Sequence, residues 1–423
     1  MAESLEILED RAIFGEWRKN RTVKKRSLDR ARAFSGALGL ASDVAGVSIL
    51  GIVGSKGKGT AAAYASAALA GLGVRTGTIM SPALLTNRDR IRIDGRSLSE
   101  RVYVDFLERI IQARKTLPPV ARHDGYLSPT GTYTLAGAST LIDQGCEVLV
   151  VEAGLGGARD EISLFGLDVV ILTEIFCEHV GILGPTVLDI ARDKLGVITG
   201  DTRAVVSVSQ SPVVEREIAR TCEKTGAQRV NIDLSSRSAI IGWLPPEYGR
   251  FNALAGVQAA TVLFSLLGRA PAGERDLESA LRSVNHPGRL SRHQCGGADI
   301  IVDSAISRNG LVSAVTYAAH QFDGMPDRIL VSLPADKELA SFVAELRHVE
   351  CERIFVGLTR EHLSYPSEEE WPWNWVQEDG LHEELLSSGR VLAVGTVSFV
   401  TAVLQVIGVD VEYLFTVPSR DGC

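Results

Sequence analysis

Short apolar runs rich in β-branched residues alternate along this chain with longer stretches of helical spacing. The first run, GVSILGIVG at 46–54, reads as a buried strand. The alanine-rich TAAAYASAALAGLGV at 60–74, with Gly71 and Gly73 as stop signals, reads as a helix. TGTIM (76–80), CEVLVVEAG (146–154), DVVILTEI (168–175) and RAVVSVS (203–209) are further strands. TVLDIARDKLGVI (186–198) has helical spacing, with Thr186 as its cap. Strands of this kind alternating with helices predict an α/β fold with a mostly parallel sheet and helices on both faces.

The pattern breaks at NHPGR (285–289), a turn-forming stretch, after which a second alternation begins. ADIIVDSA (298–305), RILVSLP (328–334), RIFVGL (353–358) and VLAVG (391–395) read as strands. GLVSAVTYAAHQF (310–322) and KELASFVAELRHV (337–349) read as helices, and the apolar SFVTAVLQVIG (398–408) follows the last strand. The expected organisation is a first domain over 1–284, a linker over 285–289 and a smaller α/β domain over 290–423. The tryptophans of SYPSEEEWPWNW (364–375) are expected to cover an edge of the smaller domain.

Composition narrows the function classes. A chain of 423 residues, 45% hydrophobic and 23% charged, suits a globular protein of two or three domains. A net charge of -8 gives no electrostatic footprint for nucleic acid. The basic run RKNRTVKKR (18–26) is the one exception and is expected to be a solvated helix end rather than an anion patch. The six cysteines, from Cys146 to Cys423, form no C-x-x-C pair, which speaks against a disulfide framework or a zinc site. With no secretory signal and no apolar run of about 18 residues, no membrane is expected and the location is expected to be cytoplasmic.

Chemistry enters at GIVGSKGKGT (51–60). The general phosphate loop is G-x-x-x-x-G-K-[ST], whereas here Gly59 separates Lys58 from Thr60. A glycine turn carrying a surface lysine would use the same letters. The strand-loop-helix context favours a loop whose backbone N–H groups and helix N-terminus hold phosphate, over Gly54, Ser55, Lys56, Gly57, Lys58, Gly59 and Thr60. Lys58 can reach the terminal phosphates and the Thr60 hydroxyl can ligate Mg²⁺. Glu152, at a strand's C-terminal end, is the candidate metal carboxylate, because ligands of open α/β sheets gather at that edge. His179 sits at another strand's end and is either a ligand or a structural histidine. Lys194 alone reads as a surface lysine, and Ser81 as part of a Ser-Pro turn.

Together these motifs resemble the Mur ligase superfamily, most closely its folylpolyglutamate synthase/dihydrofolate synthase branch, whose loop G-T-N-G-K-G-S also has a glycine between lysine and hydroxyl. SPALLTNRDRIRIDG (81–95) is similar to that branch's S-P-H-L followed by E-R-I/V, and VVEAGLGGARDEIS (150–163) to E-V-G-L-G-G-R-x-D-A-T-N. TEIFCEHVGILGPTVLDIARDKLGVI (173–198) resembles T-x-I-x-x-D-H-x-x-x-L-G-x-T-x-x-x-I-A-x-E-K-A-G-I. FNALAG, PGR, PADKE and VGTVSFV resemble the later motifs in order.

The resemblance implies a P-loop ATPase-like central domain, a smaller Rossmann-like domain and an ADP-forming amide ligase. ATP would phosphorylate a small-molecule carboxylate, and an amine, such as that of an amino acid, would attack the acyl phosphate. It implies that Gly57, Lys58 and Gly59 hold phosphates. Thr60, Ser81 and Glu152 would hold one Mg²⁺, and His179 a second. Lys194 matches a lysine that is often carbamylated into a metal ligand. Asn252, Arg289 and Asp303 match residues near the nucleotide, and domain closure would exclude water. A monomer is implied. The substrate side departs from the family: Ala83 replaces the histidine of S-P-H-L, Asp89 the glutamate of E-R, Glu178 the aspartate before the metal histidine, and Tyr248 and Gly249 an H-Q pair. Thr396 stands for a serine. DSAISR (303–308) puts Ile306 and Ser307 in place of the histidine and asparagine of D-G-A-H-N-P. On these departures the sequence favours a specialised ligase, as in natural-product biosynthesis, over a folate enzyme. An inactive nucleotide-binding subunit is the alternative of another class.

Overall fold

In the computed structural model of the chain the described residues are 4–20, 25–40, 46–119, 125–232, 240, 244–245, 247–269, 274–335, 337–359, 364–367, 370–387 and 389–417. Asp336 of PADKE and Cys423 lie outside them, as do residues 21–24 of the basic run. Two compact units are present, one of Met1–Val284 with Glu412–Cys423, the other of Asn285–Val411.

The first unit is built on an eight-stranded sheet: β1 (Ser48–Val53), β2 (Thr76–Ile79), β3 (Ile91–Ile93), β4 (Arg96–Ser97), β5 (Val148–Glu152), β6 (Val169–Leu172), β7 (Ala204–Ser207) and β8 (Gln228–Asn231), in the order β4-β3-β2-β5-β1-β6-β7-β8. All pairings are parallel except those of β3 with β2 and β4. Alternation along the central strands explains why they are apolar throughout. Ile49, Val53, Leu149, Val151, Val170 and Leu172 enter the core on one face. Leu50, Ile52, Val148, Val150, Val169 and Ile171 enter the core on the other. Helices Pro129–Asp143 and Val187–Leu195 lie on the first face, and Lys58–Gly71 and Glu247–Leu266 on the second. In Lys58–Gly71 small side chains bury nearly the whole helix, from Ala61 to Gly71.

The N-terminal segment is pinned to this unit by a nearly buried cluster. The Glu16 carboxylate accepts from Arg30 Nε (2.7 Å) and Nη2 (2.9 Å), Arg114 Nη1 (2.8 Å) and the Leu127 N–H (2.8 Å). Burial pushes the Glu16 pKa up, but the Arg30 hydrogen bond, the Leu127 N–H and the charges of Arg114 and Arg30 outweigh it, so the net shift is downward from 4.5. The folded-state pKa is depressed, so this contribution is present above the unfolded value and is lost as pH falls through the folded one. Glu16→Gln leaves two nearly buried guanidinium groups without their carboxylate and is expected to cost about 3 kcal/mol. Urea denaturation followed at neutral pH checks this, and the variant should also lose part of the wild type's stability decline below pH 4.5.

Arg26, from the basic run, pairs with Asp160 (3.4 Å) and Glu161 and is not part of an exposed anion patch. The end of the chain corrects the expected boundary. Residues assigned to the second domain up to 423 return to the first unit from Glu412 onward. The Leu414 N–H donates to the Gly95 carbonyl (2.8 Å), the Ser97 N–H to the Glu412 carbonyl (2.9 Å), and Leu414 and Phe415 are buried in the first unit's core.

The second unit carries a six-stranded sheet: β9 (Ser291–Cys295), β10 (Ala298–Asp303), β11 (Arg328–Ser332), β12 (Glu352–Gly357), β13 (Asn374–Gln377) and β14 (Arg390–Gly395), ordered β13-β12-β11-β14-β10-β9. Only β9 is antiparallel. Trp371 is buried against Phe355 (centroids 5.3 Å apart), and Trp375 of edge strand β13 stacks on the same ring at 4.2 Å. No helix among the described residues is long and apolar enough to cross a membrane.

Candidate active site

Strand order reverses around β1, which lies between β5 and β6. The register sets Ile52 beside Glu152, Val53 beside Leu172, and Ile79 of β2 beside Val151. The segments after β1, β2, β5 and β6 therefore leave the sheet along one edge, at the switch point where open α/β sheets bind ligands. Every first-unit candidate except Glu152, Asn252 and Lys194 is on one of these segments or in the helix that follows β1; Glu152 is the last residue of β5, and the other two reach the loop after β1 from other helices.

That loop runs from Gly54 to the helix Lys58–Gly71, with Gly57 as N-cap at φ 89° and Gly54 at φ 147°. A Cβ on Gly54 would lie 1.9 Å from Thr173 Oγ1, and one on Gly57 2.3 Å from Asn252 Nδ2. The backbone thus sits directly on buried Thr173 and Asn252, which only glycine permits. The Ser55 N–H donates to the Glu174 carbonyl (2.8 Å), and the Ser55 hydroxyl accepts from the Phe176 N–H (3.2 Å). Ser55 therefore fastens the loop to the segment after β6. Lys56, Gly59 and Thr60 are half-buried, the last two in the helix's first turn.

Two lysines converge on one carbonyl. Lys58 Nζ donates to Gly54 O at 3.2 Å, and Lys194 Nζ to the same oxygen at 2.8 Å. Lys194 is 1% exposed, so the expectation of a surface lysine fails. Its ammonium also pairs with Glu178 Oε1 at 2.9 Å, and Glu178 Oε2 lies 3.8 Å from His179 Nε2. Burial pulls the Lys194 pKa down, Glu178 pushes it back up, and the Lys58 charge lowers it further. His179 adopts a left-handed φ of 48° and exposes about half its side chain, 48%.

Glu152 is 5% exposed, and its Oε2 accepts the Ser81 N–H at 3.1 Å. The Ser81 hydroxyl in turn accepts from Arg90 Nη1 at 3.2 Å. The glycine-rich segment after Glu152 is held by two carboxylates. Asp160 accepts the Leu155 N–H (2.9 Å), and Asp193 accepts the Gly157 N–H (2.9 Å). Asp160, Asp193, Thr173 and Arg90 were not singled out from the sequence. Arg90 was visible there, as the arginine of the E-R-like motif. Glu178 was noted only as a departure, and nothing in its spacing announces a partner for Lys194.

Arg289 and Asp303 lie in the second unit. Arg289 is exposed, with its N–H on the His286 carbonyl (3.2 Å), and Asp303 accepts the Leu290 N–H at 2.9 Å. In the divergent loop, the Ser307 hydroxyl caps the helix Arg308–Gln321 by accepting the Gly310 N–H at 3.3 Å, while Ile306 is 36% exposed. Thr396 caps Val397–Val406 in the same way. Among the described residues no three His, Cys, Asp or Glu side chains cluster as a metal site.

No protein-family model matches the chain. It is 25% identical over 330 residues to the dihydrofolate synthase/folylpolyglutamate synthase of Mycobacterium tuberculosis, across 70% of this chain and 68% of that protein. To the protein of the same name from Escherichia coli it is 26% identical over 303 residues, across 64% and 67%. The fold matches the Mycobacterium tuberculosis folylpolyglutamate synthase complexed with ADP and AMPPCP, with a TM-score of 0.74 at 20% identity, over 91% of this chain and 96% of that one. Relatives and fold agree with the motif order read from the sequence: the chain is an ATP-dependent C–N ligase, similar to the folylpolyglutamate synthase/dihydrofolate synthase branch of the Mur ligase superfamily.

Proposed function

We propose that this ligase adds L-glutamate to a folate or to dihydropteroate, as a monomer in the cytoplasm. The observation that carries the reading is the convergence of Lys58 and Lys194 on the phosphate loop of a chain whose relatives bear folate-ligase names. The sequence alone leaned to a specialised ligase, and the relatives support the folate reading better. One observation still favours the specialised reading. Ser307 is engaged as a helix cap beside exposed Ile306, where the folate enzymes it resembles have asparagine and histidine.

In this reaction a carboxylate oxygen attacks the γ-phosphorus of ATP and the bond to the bridging oxygen breaks, releasing ADP. The amine lone pair of glutamate then attacks the acyl carbon, the carbon–oxygen bond to phosphate breaks, and the amine gives up a proton. The chain's task is positioning and charge neutralisation. The N–H groups at 57–60 and the ammonium of Lys58 offset charge on the transferring phosphoryl group. Asn252 supports the loop from beneath at Gly57. Arg289 and Asp303 are proposed as nucleotide-side residues of the second unit.

Thr60, Ser81 and Glu152 offer two hydroxyls and a carboxylate, a hard-oxygen donor set that fits Mg²⁺. When bound, the ion supplies positive charge to the phosphates. His179 is the proposed ligand of a second ion. A carbamate on Lys194 does not fit, since it would set an anion where Glu178 Oε1 now approaches within 2.9 Å. Lys194 is therefore assigned as a cation, and no step goes through a carbamate.

The test is mass spectrometry of reactions with ATP, Mg²⁺, glutamate and either dihydropteroate or tetrahydrofolate. The expected product is a glutamyl amide with ADP in equal amount. An amide formed only from another acid–amine pair would establish the specialised ligase. ATP binding with no turnover on any pair would establish the inactive subunit.

A further inference from the structure

Arg90 is a largely buried cation beside the candidate site; among the described residues it forms no ion pair, and the charges of Asp89 and Glu152 act on it without a hydrogen bond. Its Nε donates to Asn87 Oδ1 (3.1 Å), its Nη1 to Ser81 Oγ (3.2 Å), and its guanidinium lies over the Tyr133 ring, 4.8 Å from the centroid. The carboxylates around it are committed elsewhere. Asp89 accepts the N–H groups of Leu84 (3.0 Å), Leu85 (2.9 Å) and Thr86 (3.1 Å). Glu9 accepts from the Tyr103 hydroxyl (2.7 Å) and Asn87 Nδ2 (3.0 Å). Glu152 accepts the Ser81 N–H.

Withdrawing a guanidinium from water is costly unless an anion meets it. Here the ring and two neutral acceptors hold its plane, and the remaining donors have no partner among the described residues. A fixed, planar, permanently charged fork is the group that recognises a carboxylate or phosphate through paired hydrogen bonds. Its link through Ser81 to Glu152 places it on the sheet edge that carries the phosphate loop.

We infer that Arg90 binds the oxyanion of the carboxyl group being activated, first as carboxylate and then as acyl phosphate. Asn87, Ser81 and Tyr133 hold the guanidinium in place for that contact. The identity of the carboxylate rests on the folate reading; the contact itself does not.

The experiment compares wild type, Arg90→Lys and Arg90→Gln, with thermal unfolding as the check that each variant is folded. In steady-state assays with dihydropteroate, Arg90→Gln should raise KM for dihydropteroate about tenfold or more while KM for ATP stays unchanged. Arg90→Lys, which keeps the charge but loses the fork, should fall between. Equal shifts in both KM values, or none, would overturn the inference. If the wild type forms no folate product, the folate reading fails, and a second arm still decides. Inorganic phosphate is titrated calorimetrically into the ADP- and Mg²⁺-loaded proteins. The inference requires phosphate to bind wild type about tenfold or more tightly than Arg90→Gln. A wild type that binds phosphate no better than the variant overturns it.

Discussion

Replacing Lys58 by alanine is expected to reduce ATP turnover about 10³-fold, the scale seen when a charge-stabilising donor is removed from a transition state. The fold should survive. Among the described residues Lys58 Nζ donates only to the Gly54 carbonyl (3.2 Å) and the Ser55 carbonyl (3.5 Å), and no ion pair there is broken. The second ammonium at Gly54, that of Lys194, stays in place through Glu178. It cannot take over Lys58's role, because it is buried and already shared between two acceptors. ADP release measured beside a thermal melt separates the two effects. A Lys58→Ala variant with near-normal turnover and a normal melt would remove Lys58 from the site.

Glu152→Gln is the second large effect, expected at about 10²–10³-fold in turnover, with a higher Mg²⁺ requirement. Glutamine preserves the shape and can still accept the Ser81 N–H, now at 3.1 Å, so the loop after β2 keeps its anchor. What is lost is the negative charge of the proposed Mg²⁺ ligand, which is 5% exposed. Turnover measured across a Mg²⁺ series shows whether excess metal restores part of the rate. Unchanged activity at low Mg²⁺ would place the ion elsewhere.

Local chemistry made much of the fold legible. The Thr186 cap forms as read, with Thr186 and Asp189 satisfying each other's backbone N–H groups at the head of Val187–Leu195. The apolar runs became parallel strands because burial on both faces requires it. Three kinds of feature were hidden. Antiparallel β3, β4 and β9 are short and polar enough to escape a search for apolar runs. The return of Leu414 and Phe415 to the first unit depends on a surface left open far earlier in the chain. Lys194 looked like a surface lysine because its acceptor, Gly54, is 140 residues away. Motif order singled out the loop after β1, Glu152 and Ser81 as candidates. The partners Glu178, Asp193 and Thr173 came only from geometry, since a carboxylate that grips a backbone N–H across a sheet edge leaves no periodic signal.

The central claim is that this site passes a phosphoryl group from ATP to a carboxylate before the amide forms. The most direct measurement is transfer of heavy oxygen from the carboxylate of labelled dihydropteroate, in reactions with ATP, Mg²⁺ and glutamate. An acyl phosphate intermediate predicts that each amide formed releases a phosphate carrying one labelled oxygen. Phosphate released without label would mean that water takes the phosphoryl group, and would contradict the account.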